Sequence, residues 1–361
     1  MGLHLGSATQ EYASRPAEER FGSWEAWLAS LASRKAGSTV KQGPQAALRV
    51  VADGDAGMAV RVGSQEPVGL THYGFGVLAS LGGAPAGYLR TLPAPIAADA
   101  LNASLTLAAP AYDDGKVKLL FRNGGTQLAA ATSTQYGRIW DHDVATSLAR
   151  LNDRLGGILH PAPTWDHNVS LYASDRDMFA LLIDGGSVIE EPGGFGHRPS
   201  QLHRGVMIRN SETGHAALEM LLFWFRVVCG NLIIHDGSIF ASVRIRHTLN
   251  AADRLAQSGI AHQVRQYLTA DTGTERRLIT RAMEYVLPPT IEARTDFLRD
   301  KGRLTKAEAT HTLELARTEE GDNRTLWQVV QGATAVARTL PYAEDQTSLS
   351  RRATGMLRLA A

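Results

Sequence analysis

Six consecutive apolar residues, Met220 to Phe225, form one of the longest uninterrupted apolar runs in the chain. A bilayer crossing takes about 18 to 20 such residues, so a soluble core is expected to close around this run instead. The run lies inside Arg204 to His247, whose second half is rich in β-branched and aromatic residues (Phe223, Phe225, Val227, Val228, Ile233, Ile234). Gly214, Gly230-Asn231 and Asp236-Gly237 cut that stretch into strand-sized pieces. It therefore predicts a central antiparallel β meander. The single cysteine, Cys229, falls within it, which excludes an internal disulfide and predicts a reduced, buried thiol.

The rest of the chain organises around this core. Residues 1–44 read as a polar N-terminal arm followed by a short helix, with Trp24, Trp27, Leu28 and Leu31 on one face. From Ala47, ALRVVAD and MAVRV flank a turn at Asp53-Gly54-Asp55 and predict a hairpin. Thr71 to Leu81 and Pro95 to Leu105 read as short helices, and Val144, Leu148, Leu151 and Leu155 mark another. After His247 the strand pattern stops. Helical stripes follow at Ile260, Val264, Tyr267, Leu268 and at Ile279, Ala282, Met283, Val286, and capping-box pairs stand at Thr305/Glu308 and Thr325/Gln328. The expectation is an α+β fold: an antiparallel β-rich core over 45–247, a helical region over 248–347 packed on that core, and a basic tail over 348–361.

Thirty-seven basic residues against 36 acidic ones give no overall charge that would draw a polyanion, so a nucleic-acid surface would have to come from local segregation. Such segregation is legible in two strands. In KVKLLFRN, alternation places Lys116, Lys118 and Arg122 opposite Val117, Leu119 and Phe121, and Arg244 and Arg246 stand opposite Val243 and Ile245. Side by side on one sheet, these strands would form a stripe for phosphates, with Arg198 and Arg204 on a Gly-rich loop beside it; the bland alternative is an ordinary solvated face. Asn210, Ser211, Glu212 and Gly214 read as a structural turn whose side chains bond to the backbone. The repeated pairs Asp141-His142 and Asp166-His167 are the candidate metal ligands, but no spacing brings two ligands onto one helix face. No motif asks for a cofactor. With no leader-like N-terminus, the expected compartment is the cytoplasm.

Several segments resemble a known family, the phage- and plasmid-like bacterial proteins that carry the domain of unknown function numbered 932. They are Leu70-Thr71-His72-Tyr73-Gly74-Phe75, LPAPIAADALNASL, Asn210-Ser211-Glu212-Thr213-Gly214, Arg226-Val227-Val228-Cys229-Gly230-Asn231, Arg246-His247 and Thr325-Leu326-Trp327, spanning about 45–340. The chain departs from the family at Leu232, where members often carry Gly or Thr. The resemblance implies a mobile-element protein related in role to single-strand annealing proteins. Its partners would be single-stranded DNA and further copies of itself in a ring or filament, and it would need no acid, base or metal. Two alternatives stand beside this: a structural or interaction protein, such as a virion component or anti-defence factor, and a metal-dependent nucleic-acid enzyme using Asp141, His142, Asp166 and His167.

Overall fold

The computed structural model describes residues 19–54, 57–162, 171–195, 198–226, 231–234, 243–339 and 343–361. The chain enters through a short strand, β1 (Arg20–Phe21), and a helix, α1 (Trp24–Ala36). Ser23 starts that helix by accepting the Ala26 N–H on its hydroxyl.

A first sheet follows. It contains β2 (Thr39–Pro44), β3 (Leu48–Asp53), β4 (Gly57–Val62), β5 (Val68–Leu70), β6 (Lys116–Arg122) and β7 (Gln127–Thr132), in the order β2-β6-β7-β5-β4-β3. Only β5 and β7 run parallel. Between β5 and β6 the chain forms α2 (His72–Leu81), α3 (Ala86–Leu89) and α4 (Ala94–Leu107). Phe75 and Leu78 of α2 and Leu101 and Leu105 of α4 pack against Leu48, Val50, Val117, Leu119 and Leu128 on one face of the sheet. Asn102 of α4 closes the outer edge of β3 by exchanging two hydrogen bonds with the Val50 main chain, at 2.8 and 2.7 Å. That blocks strand addition there.

The first turn of α2 is pressed onto β7, so that a Cβ at Gly74 would overlap the Leu128 carbonyl oxygen. Helix propensity alone would favour Gly74→Ala by about 1 kcal/mol, but overpacking costs about 1–3 kcal/mol, and here the obstacle is backbone. The expected result is a net loss of stability, read as a lower denaturant midpoint at unchanged m-value. A higher midpoint would contradict the packing.

The second sheet follows α5 (Asp141–Arg154) and comprises β8 (Leu159–Pro161), β9 (Leu171–Ala173), β10 (Met178–Phe195), β11 (Arg198–Asn210), β12 (Leu218–Arg226), β13 (Asn231–Ile234) and β14 (Val243–Ile245), together with β1. Its main path is β1-β9-β10-β11-β12-β13, with β8 on β10 and β14 on β12. The apolar run at its centre is continuous because both faces are covered. Met220, Leu222 and Trp224 join Met178, Leu182 and Val206 beneath Trp27 and Leu31 of α1, Val144 and Leu148 of α5, and the C-terminal helices. Leu221, Phe223 and Phe225 join Phe179, Leu181 and Met207 on the opposite face.

The last third is helical: α6 (Ala251–Gln257), α7 (Ile260–Thr269), α8 (Gly273–Glu284), α9 (Ile291–Lys301), α10 (Lys306–Glu320), α11 (Leu326–Thr339) and α12 (Ala343–Gly355). Both capping boxes form, at Thr305/Glu308 and Thr325/Gln328. The fold is thus α+β, and among the described residues no helix is long and apolar enough to cross a membrane. The basic tail is a packed element, not an extension. Leu349, Ala353, Met356 and Leu357 follow a helical stripe and are buried, and Arg352 pairs with Glu308 at 2.6 Å.

Candidate functional site

The first sheet is joined to the second through two turns at one end of the latter, Ser174–Asp177 between β9 and β10, and Asn210–Gly214 between β11 and β12. Each side chain of the second turn has a defined role. Asn210 Nδ2 donates to the Ile139 carbonyl at 2.9 Å and to Asp141 Oδ1 at 2.7 Å. Ser211 and Thr213 both donate to the Arg176 carbonyl at 2.7 Å, and Tyr136 donates its hydroxyl to the Ser211 carbonyl at 2.8 Å. Glu212 is the pin. Its carboxylate meets the Arg122 guanidinium from β6 and accepts the Asp141 N–H at 3.0 Å, while its carbonyl accepts from Arg138. From the first turn, Ser174 accepts Arg34 of α1 at 2.5 Å, and Asp175 accepts the Tyr73 N–H of α2 at 2.7 Å.

This junction is ionic and buried at its centre. Asp141 opens α5 and is 1% exposed. Burial first, and then the neighbouring Glu212, push its carboxyl well above the ordinary carboxylate range, against the pull of Arg34 and the Asn210 amide. Two histidines are held neutral beside it. His247 stacks on the Tyr136 ring at 4.9 Å and is brought down to about 4 by burial. His215 meets Tyr73 edge-on at 5.7 Å and is brought down to about 4 by burial and then by Arg176.

Above the junction a cleft of about 410 Å³ opens between α2, the end of β7 and the Thr213–Gly214 turn. Tyr73, Tyr112 and Tyr136 line it, with Ser80, Ser133 and Gly214 between them. Gly214 has φ +97°, and a Cβ there would stand 3.0 Å from the Thr132 methyl, so a side chain at this position is both strained and crowded. Among the described residues the lining carries no charged side chain; Lys118 and Arg90 stand beside it. Lys118 reaches the Tyr136 carbonyl at 3.1 Å, Arg90 reaches over the first turn of α2 to the His72 carbonyl at 2.8 Å, and exposed Lys116 begins β6. Exposed Arg246 leads into His247 and Thr248, the latter bridged to Tyr136.

The residues expected to form one phosphate stripe are distributed differently. β6 lies in the first sheet, enclosed by β2 and β7, and β14 lies in the second, paired to β12, so they share no sheet. Exposure falls along β6 as it runs under the junction. Lys116 is exposed and Lys118 half-buried, but Arg122 is 5% exposed and paired with Glu212. Arg204 is fully buried, bound to Glu275 and to the carbonyls of Ala270 and Asp271, with Tyr267 beneath its guanidinium. Arg244 is open, at 67% side-chain exposure, and pairs with Glu219 at 3.2 Å. The Arg198 side chain, Asp166, His167 and Cys229 lie outside the described residues.

Of the remaining metal candidates, Asp141 is committed to Asn210 and Arg34, and His142 meets Asp143 and Thr146 of its own helix. Among the described residues no group of three or more His, Cys, Asp or Glu is placed to hold a metal ion. The three tyrosines form no local motif, because they are scattered over some sixty positions. A signal was present: each stands among polar or small residues, unlike Phe223 or Trp224 in their apolar run.

The family described as a domain of unknown function, DUF932, matches residues 130–352. No curated protein and no solved structure matches. The matched region holds Tyr136, Thr213 and Gly214 of the cleft, whereas α2 with Tyr73, and Tyr112 beyond it, precede the match.

Proposed function

For this chain, which belongs to the DUF932 family, we propose a non-enzymatic role in binding single-stranded DNA, with the tyrosine-lined cleft and its cationic surround as the contact surface. The observation that carries this reading is the meeting of three tyrosines in one cleft with Lys118 and Arg90 beside it, and with exposed Lys116 and Arg246 each two positions along the chain from Lys118 and from Thr248, the residue bridged to Tyr136. Strands without sequence preference are held by aromatic faces for bases and spaced cations for phosphates. Four cations imply a modest salt dependence, with a log–log slope of about −3 at most. Assembly of further copies along the strand, as in a recombination-assisting protein of a phage or plasmid, would repeat the site.

Fluorescence anisotropy of a labelled single-stranded oligonucleotide across a salt series tests this. Wild type should bind at low salt. Lys116→Glu/Arg246→Glu, at two exposed positions, should weaken binding at least tenfold and make the slope shallower by about 1.4. Absence of binding at low salt, or an unchanged slope in the variant, would sink the proposal. One observation favours a second reading as a structural or interaction protein: Arg122, Arg204, Arg209 and Arg226 are buried against carboxylates, which leaves fewer cations for a polyanion. In that case the protein assembles without nucleic acid, and the charge reversals leave the assembly intact.

A further inference from the structure

We infer that the cleft takes one unpaired nucleobase per subunit, turned out of the strand's own stack, and recognises its ring and edge atoms, not its phosphate. This rests on the DNA-binding reading but goes beyond it. The lining is chemically suited to a neutral heteroaromatic ring. It combines the rings of Tyr73 and Tyr112, Tyr136 being already stacked on His247, with the hydroxyls of Tyr73, Tyr112, Ser80 and Ser133, none of which has a hydrogen-bond partner among the described residues. Burial pushes the Tyr73 hydroxyl up to about 12 and raises that of Tyr112, so near neutral pH both are uncharged and able to donate or accept.

A phosphate would find no cation inside this lining and would have to shed its water without compensation. A base loses little hydration and gains stacking. The volume, about 410 Å³, is at the small end of ligand pockets and large enough for a nucleobase. The cations outside the lining are placed to meet the flanking phosphates. Bases on either side of the inserted one then stay in solvent, open to pairing.

The test compares full-length protein binding a labelled oligodeoxynucleotide, an oligoribonucleotide of the same sequence, and an abasic strand of the same length, with a mononucleoside as competitor. Loss of the bases should weaken binding about ten- to a hundredfold, the stacking contribution of one base. The mononucleoside should compete. Tyr112→Ala, on a half-exposed loop, and Ser80→Phe, which fills the cleft from an exposed helix position, should each erase the difference between intact and abasic strands while retaining salt-dependent binding.

Equal affinity for intact and abasic strands would overturn the base assignment and leave strand binding standing. Binding of the mononucleoside with no binding of any strand would keep the base assignment and overturn the strand reading. No binding of any of these would overturn both. A preference between the deoxy and ribo strands identifies which polymer supplies the base.

Discussion

Replacing Glu212 by alanine should lower the unfolding free energy by about 3–5 kcal/mol, the usual consequence of leaving one partner of a buried ion pair uncompensated. The substitution strands Arg122, 5% exposed, and removes the acceptor for the Asp141 N–H at the start of α5. Both groups lie at the contact between the two sheets, so the loss should appear as a lower denaturant midpoint and as earlier exchange of amides around Tyr136 and Gly214. Replacing the pair together, Arg122→Met/Glu212→Leu, should recover most of the loss, because the desolvation cost disappears with the charges. A single-variant loss below about 1 kcal/mol, the range of exposed pairs, would mean that the junction is wet and that Glu212 is not its pin.

Acidification between pH 6.5 and 4 should cost stability through His247 and His215. The sign follows from the proton count. The unfolded chain takes up protons on both rings near 6.5, whereas the folded protein refuses them until about 4, so falling pH favours the unfolded state across that window and the effect levels off below it. His247, stacked on Tyr136, should account for on the order of 2–3 kcal/mol, and His215, more open to solvent, for less. Asp141 acts in the opposite direction: its raised carboxyl contributes stability at low pH that is lost as pH rises through its folded value. The informative quantity is therefore the difference between wild type and His247→Phe, measured by urea unfolding at pH 7 and pH 4. Asp141 contributes alike to both proteins, so wild type should lose more than the variant. Equal losses would show that His247 is not held neutral.

Local elements were legible wherever one short stretch carries its own instruction. The Thr305/Glu308 capping box starts α10, the Asp53-Gly54 turn joins β3 to β4, and Val144, Leu148 and Leu151 face the core from α5. Strand alternation also put Lys118 and Arg122 on one side of β6. It could not report what covers that side, since Glu212 stands ninety residues away and arrives on a turn of another sheet. The same limit applies to Arg204, whose partner Glu275 comes from α8. The stripe Leu349, Ala353, Met356 and Leu357 has helical spacing, but it is interleaved with Arg351, Arg352 and Arg358, whose charge by itself points to a solvated tail.

The sequence by itself determined the fold class, the place of the central strands and the sites where helices begin. These depend on hydrophobic period, propensity and capping, which act over a few residues. Only the tertiary structure decided which cations remain in water, which are consumed in buried pairs, and that three scattered tyrosines share a cleft. Those outcomes depend on which surfaces of distant segments meet and exclude water. Burial sets the energy of each charge, and no local pattern encodes it.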